Sequence, residues 1–597
     1  MAIKDFRNIH DMMKATVDAH SDKPAYQWFS ETGDILPPIS WSEFYQQVRS
    51  VAKSLMALGV EKNDKVTILS YTCYRWILSD LGITTCGAAS VGIYQSNLPK
   101  DCQYIINHSD AVVIFAQNRT QLDKLFSIRK DIPVIRKVVL FDGSHEDDWV
   151  MSFEAFLELG RNISDEALEE RINTTASDDV AGIVYTSGTT GVPKGAVLTH
   201  DNLTFTSQSA LACLKVQPGD TTFLFLPLAH VFARICVNLA LLAGAKTVIA
   251  RGIDTLVDDL KAAQPDWFAS VPRIYEKVYA KVVSGAEAKG GLTLKIFRWA
   301  CDVGNEVSDC LLDKQPIPVM TNVKYKIATK LVFTKLQAAL GGRVDWCVSG
   351  AAPLNPTIAK FFHAAGILIL EGLGMSENTS FTNVNRFDNY RFGWVGPPGP
   401  GIEQKIAEDG EILFRGRNVM KEYYKMPAET AETILQGGWQ RTGDLGEIDD
   451  DDFLRITGRK KDLIITAGGK NIAPAAIEGV IATSKYIAQV CVIGDQRKYL
   501  TALVTLDPET VTEYAQEHDI EYGGFDDLMK NEDIIDLINQ EVVEKNKNFA
   551  SFESIKKVTI VPEFTIENGL ITPTFKVKKN VVQARFKDEI DAMYPEE

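Results

Sequence analysis

Short β-branched runs spaced by helix-length segments set the strongest limit on what this chain can fold into. Lys65-Val66-Thr67-Ile68-Leu69, Ser90-Val91-Gly92-Ile93-Tyr94 and Ala111-Val112-Val113-Ile114-Phe115 recur with a helical stretch between each pair. A hairpin needs only a short turn, whereas parallel neighbours need a crossover of about a dozen residues, so the spacing predicts a largely parallel sheet. The alternation resumes at Thr222–Leu226, Lys246–Ala250, Trp267–Val271 and Val344–Ser349, which makes residues 1–460 an α/β body. Ser40-Trp41-Ser42-Glu43 reads as a capping box, and Phe44, Val48, Val51, Leu55 and Leu58 follow at helical spacing before Gly59. A helical segment covers roughly 273–340. From 396 to 460 the texture changes to Gly/Pro turns and short strands such as Glu411-Ile412-Leu413-Phe414-Arg415, which indicates a small β-rich subdomain. Beyond Gly458 an αβ pattern runs to the end, enough for a separate, smaller α+β domain over 461–597.

Directly after the apolar run Val180-Ala181-Gly182-Ile183-Val184 comes Tyr185-Thr186-Ser187-Gly188-Thr189-Thr190-Gly191-Val192-Pro193-Lys194-Gly195. Glycines let backbone N–H groups close on an anion, while the hydroxyls of Thr186, Ser187, Thr189 and Thr190 and the ammonium of Lys194 add donors. A phosphate is expected here, because a plain surface turn has no use for so many donors. The Walker A pattern does not fit, since Pro193 stands where its second glycine belongs and Gly195 follows the lysine.

The formal net charge is −16. A duplex binder needs a cationic face, so nucleic acid is excluded as a general partner, and any polyanionic ligand must meet locally concentrated cations. The nine cysteines are scattered and contain no C-x-x-C pair, the usage of reduced thiols in a cytosolic protein, with no zinc site. The N-terminus lacks an apolar core, and the longest apolar stretch, near Val237–Ala250, is interrupted by Lys246, so the chain is expected to be cytoplasmic, soluble or at most peripheral at a membrane. Residues 321–343 carry Lys324, Lys326, Lys330, Lys335 and Arg343 with no acid, a solvated basic face or else a patch facing a membrane or coenzyme A.

The loop Tyr185–Gly195 matches Y-T-S-G-T-T-G-x-P-K-G at every specified position, and in this it resembles the adenylate-forming superfamily of acyl-CoA synthetases, luciferases and nonribosomal adenylation domains. Further motifs follow in the family's order. Glu371-Gly372-Leu373-Gly374-Met375-Ser376-Glu377 is similar to G-Y-G-x-[ST]-E, with Leu373 where most relatives have Tyr, and the resemblance implies that Glu377 and Thr186 hold Mg²⁺. Glu377 as a helix-terminal acid is the plain alternative. Gly350 and Ala351, in Ser349-Gly350-Ala351-Ala352-Pro353-Leu354, resemble the adenine-side segment, as do Leu373, Gly374, Met375 and Ser376. Asp444, in Arg441-Thr442-Gly443-Asp444, takes the position of the carboxylate that binds the ribose hydroxyls, with Arg459 as its partner; a structural Asp–Arg pair is the alternative.

Gly458-Arg459-Lys460-Lys461-Asp462 resembles the family's hinge, with Lys461 as the swivel, and Gly468-Gly469 the loop beside the pantetheine tunnel. Lys576, in Gly569-Leu570-Ile571-Thr572-Pro573-Thr574-Phe575-Lys576, occupies the catalytic lysine's position, with Phe575 where many relatives have Gly. Leu226-Pro227-Leu228-Ala229-His230-Val231-Phe232 is similar to the acyl-pocket segment of long-chain enzymes, which makes His230 a gate or a core residue and places Arg234 beside it. The resemblance thus implies an AMP-forming long-chain fatty-acid:CoA ligase, with ATP, Mg²⁺ and CoA as cofactors, a fatty acid as substrate and a mobile C-terminal lid. Lys576, Thr186, Glu377 and Lys194 are its expected catalytic group. An acyl-AMP ligase serving a carrier protein shares the adenylation motifs, and a non-catalytic nucleotide or lipid sensor is the rival from another class.

Overall fold

The computed structural model describes residues 3–186, 192–468, 470–572 and 576–594. Two large sheets, not one, form the body. The first runs in the order Asn383–Val384, Leu368–Leu373, Trp346–Ser349, Trp267–Ser270, Thr221–Leu224, Lys246–Ile249, Pro24–Trp28, Ile39–Ser40, parallel except at its two edges. The second runs Glu422–Tyr423, Lys194–Thr199, Val180–Thr186, Ala89–Ile93, Lys65–Leu69, Ala111–Ala116, Lys137–Leu140, Val150–Ser152 and is antiparallel only at the first two pairings. Strand periodicity reports the crossover but not which sheet a strand joins, so the pattern gave no sign of the division.

Layering follows from where apolar side chains meet. One core cluster joins Val66 and Val113 of the second sheet to Trp267, Trp346 and Tyr26 of the first through Leu203 and Phe205 of helix His200–Leu211 and Val231 and Leu239 of helix Val231–Ala243. The two helices therefore lie between the sheets. A second cluster covers the outer face of the first sheet with helices from 272–364, and a third covers the outer face of the second sheet with Pro99–Ser109 and Arg119–Ser127. Strands buried on both faces have no polar side to show, which is why Ala111–Ala116 is apolar throughout. Trp267 and Trp346, opposite each other in register, stack with centroids 5.0 Å apart. Such an aromatic cross-strand pair contributes about 0.5–1.5 kcal/mol beyond its buried area.

The capping box forms as read: the Ser40 hydroxyl accepts the Glu43 N–H at 3.2 Å, and Glu43 Oε2 accepts the Ser40 N–H at 2.8 Å. The helical segment near 273–340 is divided into Pro272–Lys289, Gly291–Leu312, Val319–Ala328, a π turn at Thr329–Phe333, and Thr334–Ala339. Gly290 and Gly291, at φ +52° and +50°, make the first break, and Pro316 and Pro318 lie in the second. The β-rich region is a four-stranded antiparallel sheet, Ile402–Ile406, Glu411–Gly416, Gln440–Ile448 and Leu454–Arg459. Beyond it, Ile487–Ile493, Leu500–Leu506 and Ile555–Ile560 form a sheet with apolar clusters of its own. Among the described residues no helix is long and apolar enough to cross a membrane.

Candidate active site

The expected phosphate loop is held at both ends, because Thr186 pairs opposite Lys194 across two antiparallel strands. Ser187, Gly188, Thr189, Thr190 and Gly191 lie outside the described residues. The Thr186 hydroxyl donates to the Lys194 carbonyl at 3.3 Å. Strand Glu422–Tyr423 adds to the same edge and sets the Tyr423 ring 5.2 Å from the Lys194 ammonium. The Tyr423 hydroxyl donates to Glu377 Oε1 at 2.7 Å. Glu377 sits in the one-turn 3₁₀ helix Ser376–Asn378, which packs against strand Val180–Thr186. Lys194, Tyr423 and Glu377 thus form one connected group beside Thr186.

The turn bearing Glu377 is fixed from beneath. Asn378 Oδ1 accepts the Met375 N–H at 2.8 Å, and Asn378 Nδ2 donates to Gln440 Oε1 at 3.1 Å inside the protein. Gln440 also meets Met375 Sδ at 3.1 Å and begins the strand that carries Asp444. A Cβ on Gly374 would lie 2.1 Å from the Ser380 carbonyl carbon, so the chain folds back on itself at a distance only glycine permits. The strand Leu368–Leu373 runs into the motif itself, since Gly372 and Leu373 pair antiparallel with Val384 and Asn383. Leu373 is half-buried against the main core.

Asp444 and Arg459 face each other across an antiparallel pair, and Arg459 Nε donates to Asp444 Oδ1 at 3.0 Å. Burial raises the Asp444 carboxyl above its usual range, with Arg459 and then Lys576 pulling it back. Lys576 is an exposed residue, and desolvation, then the Arg459 guanidinium, hold its ammonium below the ordinary lysine value against the pull of Asp444, Glu377 and Asp462. Its backbone is anchored by Thr572, whose N–H donates to the Lys576 carbonyl at 2.8 Å and whose hydroxyl accepts the Lys576 N–H at 3.1 Å. A lysine near the C-terminal end is therefore within electrostatic range of Arg459, Asp444 and Glu377.

His230 caps helix Val231–Ala243, its Nδ1 accepting the Phe232 N–H at 3.1 Å. Burial, then the nearby Lys576, pushes its pKa down to about 4, so the ring is neutral at physiological pH. The Phe232 ring lies 3.3 Å from where a Gly350 Cβ would be, which puts Gly350 and Ala351 next to the start of this helix. Arg234, expected beside His230, is committed elsewhere: it is buried and pairs with Asp80 at 2.8 Å. Lys461 is exposed in the turn after Arg459, while Lys460 is tied to Asp409 at 2.6 Å. Gly468 lies in a turn closed within the C-terminal region by Ala467 N–H to the Arg497 carbonyl at 2.9 Å, and Gly469 lies outside the described residues.

Sequence reading missed Tyr423, the Asn378–Gln440 pair and Glu371. Glu371 is buried, accepts the Gly393 N–H at 2.8 Å and the Leu354 N–H, and burial pushes its carboxyl up to about 7. The visible signal was a carboxylate at the end of an otherwise apolar strand, which asks for a partner. Nothing local marks Tyr423, whose partners are 46 and 229 residues away. Among the described residues no group of three or more His, Cys, Asp or Glu side chains could hold a metal ion.

Thr186 and Lys194 at the ends of their strands, Glu377 beside them and the Asp444–Arg459 carboxylate–guanidinium pair supply the polar and cationic groups of a nucleotide-binding enzyme class. Residues 13–424 match the family model described as AMP-binding enzyme, and 461–597 match that of the AMP-binding enzyme C-terminal domain. The chain belongs to the AMP-binding enzyme family. It is 36% identical over 595 residues to the long-chain-fatty-acid–CoA ligase FadD15 of Mycobacterium bovis, covering 98% of both chains. It is 30% identical over 632 residues to the long-chain-fatty-acid–CoA ligase ACSBG2 of Homo sapiens, covering 98% of this chain and 92% of that one. In fold it is similar to the anthranilate CoA ligase AuaEII solved with anthranoyl-AMP, at a TM-score of 0.75 and 20% identity over 99% of both chains.

Proposed function

We propose that this protein is an AMP-forming long-chain fatty-acid:CoA ligase. The fatty carboxylate attacks the α-phosphorus of ATP and pyrophosphate leaves; the CoA thiolate then attacks the acyl carbon of the acyl-adenylate and AMP leaves. The observation that best supports the first step is the connected group of Lys194, Tyr423 and Glu377 beside Thr186 in a chain that matches the AMP-binding enzyme family, with Lys576 within electrostatic range of Glu377, Asp444 and Arg459. Two anions must meet in that step, and an ammonium brought to the phosphoryl oxygens would offset their repulsion.

In this reading Asp444, fixed by Arg459, accepts both ribose hydroxyls, and Lys194 with the loop donors holds the β- and γ-phosphates. Glu377 and Thr186 offer one carboxylate and one hydroxyl, a donor set suited to Mg²⁺, which takes few protein oxygens and fills its octahedron with water and phosphate. Bound there, Mg²⁺ would neutralise charge on the phosphate oxygens. The neutral His230 ring stands where an acyl carboxylate approaches Lys576 without adding a further charge. Residues 1–460 act as the adenylation body and 461–597 as a lid that turns about Lys461, so that Lys576 serves the first step and Gly468-Gly469 the second.

Pyrophosphate release, measured across carboxylates of graded length with and without CoA, tests this reading. Release with long-chain acids and CoA-dependent appearance of AMP are expected. Release confined to aromatic acids, or AMP formation indifferent to CoA, would refute the substrate or the acceptor respectively.

A further inference from the structure

The basic segment that the reaction leaves unused forms the outer helix of the layer covering the first sheet. Tyr325, Ala328, Phe333 and Leu336 turn inward to the second apolar cluster. On the opposite face Val319, Met320, Val323, Ile327 and Leu331 are 83%, 66%, 50%, 49% and 45% exposed. Singly exposed apolar residues are ordinary, but the adjacent Val319 and Met320 followed by Val323, Ile327 and Leu331 at spacings of three and four make a continuous stripe. At about 100° per residue along Val319–Ala328, Lys326 falls on one border of the stripe and Lys324 on the other, and Lys330 follows in the π turn. These lysines and Lys335 are exposed, and no acid interrupts residues 321–343. Arg343 does not belong to the face, since it pairs with Asp266 at 2.6 Å.

We infer that Val319–Leu331 is a membrane-docking face that lays its apolar stripe into the headgroup region of an anionic bilayer. Charge selects this occupant. The protein as a whole is strongly acidic, at −16, and would be repelled by anionic lipid unless it presented a local cationic face. A second copy of the chain is a poorer fit, because an isologous contact would set these lysines against one another. An apolar stripe framed by lysines is the arrangement of an interfacial helix, whose stems bury beside the stripe while the ammonium groups reach phosphate. The use of such a face rests on the proposed reaction, whose acyl substrate partitions into bilayers; the face itself stands on geometry alone.

Co-sedimentation of the full chain with phosphatidylcholine vesicles, with and without phosphatidylserine, tests it. Binding should require phosphatidylserine and weaken with salt, and V323E/I327E should lose at least about tenfold in partitioning, since a charge replaces each buried apolar contact. K324Q/K326Q/K330Q should lose about fivefold per lysine on anionic vesicles. Both variants alter exposed positions, and unchanged pyrophosphate release with detergent-dispersed acid confirms their fold. Wild-type protein that stays in the supernatant overturns the inference. So does V323E/I327E binding like wild type, or a vesicle-free dimer that this variant dissociates. Vesicle binding by a protein that releases no pyrophosphate with any fatty acid would defeat the proposed reaction and leave the docking face intact.

Discussion

Tyr423→Phe isolates one contact in the site. Tyr423 is 6% exposed, so phenylalanine fills the same space and keeps its ring beneath the Lys194 ammonium. What is lost is the 2.7 Å hydrogen bond to Glu377 Oε1. Hydrogen bonds to charged groups contribute about 1.5–3 kcal/mol net, equivalent to about 10- to 150-fold. Glu377 is only half-buried, so water can take the vacated position, which places the expectation near the low end, about tenfold in kcat/KM for MgATP. Burial, and then Glu377, raise the Tyr423 hydroxyl above the usual tyrosine range, so it remains a donor throughout the assay range and the effect should not vary with pH. Initial rates of pyrophosphate release over a Mg²⁺ titration give the measurement, with Glu377→Gln and the double variant completing a cycle. A higher Mg²⁺ requirement and non-additive losses are expected. A lowered melting temperature with kcat/KM and Mg²⁺ dependence unchanged would show that Tyr423 only packs, and would remove it from the account of the site.

Lys576→Ala should lower adenylation by about a hundredfold or more while CoA transfer from supplied acyl-adenylate stays largely intact; equal loss in both half-reactions would refute the two-pose account. Lys461→Pro, which restricts the turn after Arg459, should slow thioester formation more than pyrophosphate release, and unaltered CoA transfer would take the swivel out of the argument. Gly374→Ala places a methyl group 2.1 Å from backbone and should destabilise by about 1–3 kcal/mol or more, read as a lower melting temperature together with loss of activity. Glu371 has a folded pKa near 7 against an ordinary value of 4.5, so the folded state holds its proton longer and stability falls as pH rises between those values. Glu371→Gln should flatten that fall and stabilise the protein at pH 8 by up to about 3 kcal/mol; a thermal-shift profile that keeps its slope in the variant would refute this.

Local signals were legible wherever the cause was local. The Ser40–Glu43 box, the strands near 65, 90 and 111 and the β texture of 396–460 depend on residues within a few positions of one another, and all appear in the structure. The split into two sheets depends on which distant strand becomes a neighbour, for example Pro24–Trp28 beside Lys246–Ile249, and no local pattern encodes that. The site divides in the same way. Asp444 opposite Arg459 was within reach, because fifteen residues of strand–turn–strand can bring the two together. The partner of Arg234, Asp80, was out of reach because it comes from a helix 154 residues earlier.

The acidic balance and the cationic site are two sides of one arrangement. Asp444, Glu377 and Asp462 pull on Lys576 and Arg459, so the cations that a polyphosphate would meet are partly offset by nearby carboxylates. Arg459 is held permanently by Asp444, whereas Lys576 arrives on a segment between Thr572 and Val577 that belongs to the C-terminal sheet region. Arg459 lowers the Lys576 pKa, which means that the two repel each other when no anion lies between them. In the proposed reaction a nucleotide bound between them would relieve that repulsion and its departure would restore it. The same pair of charges would then favour closure over the loaded site and opening of the empty one, which is the bias the proposed turning lid requires if its position is to follow the ligand.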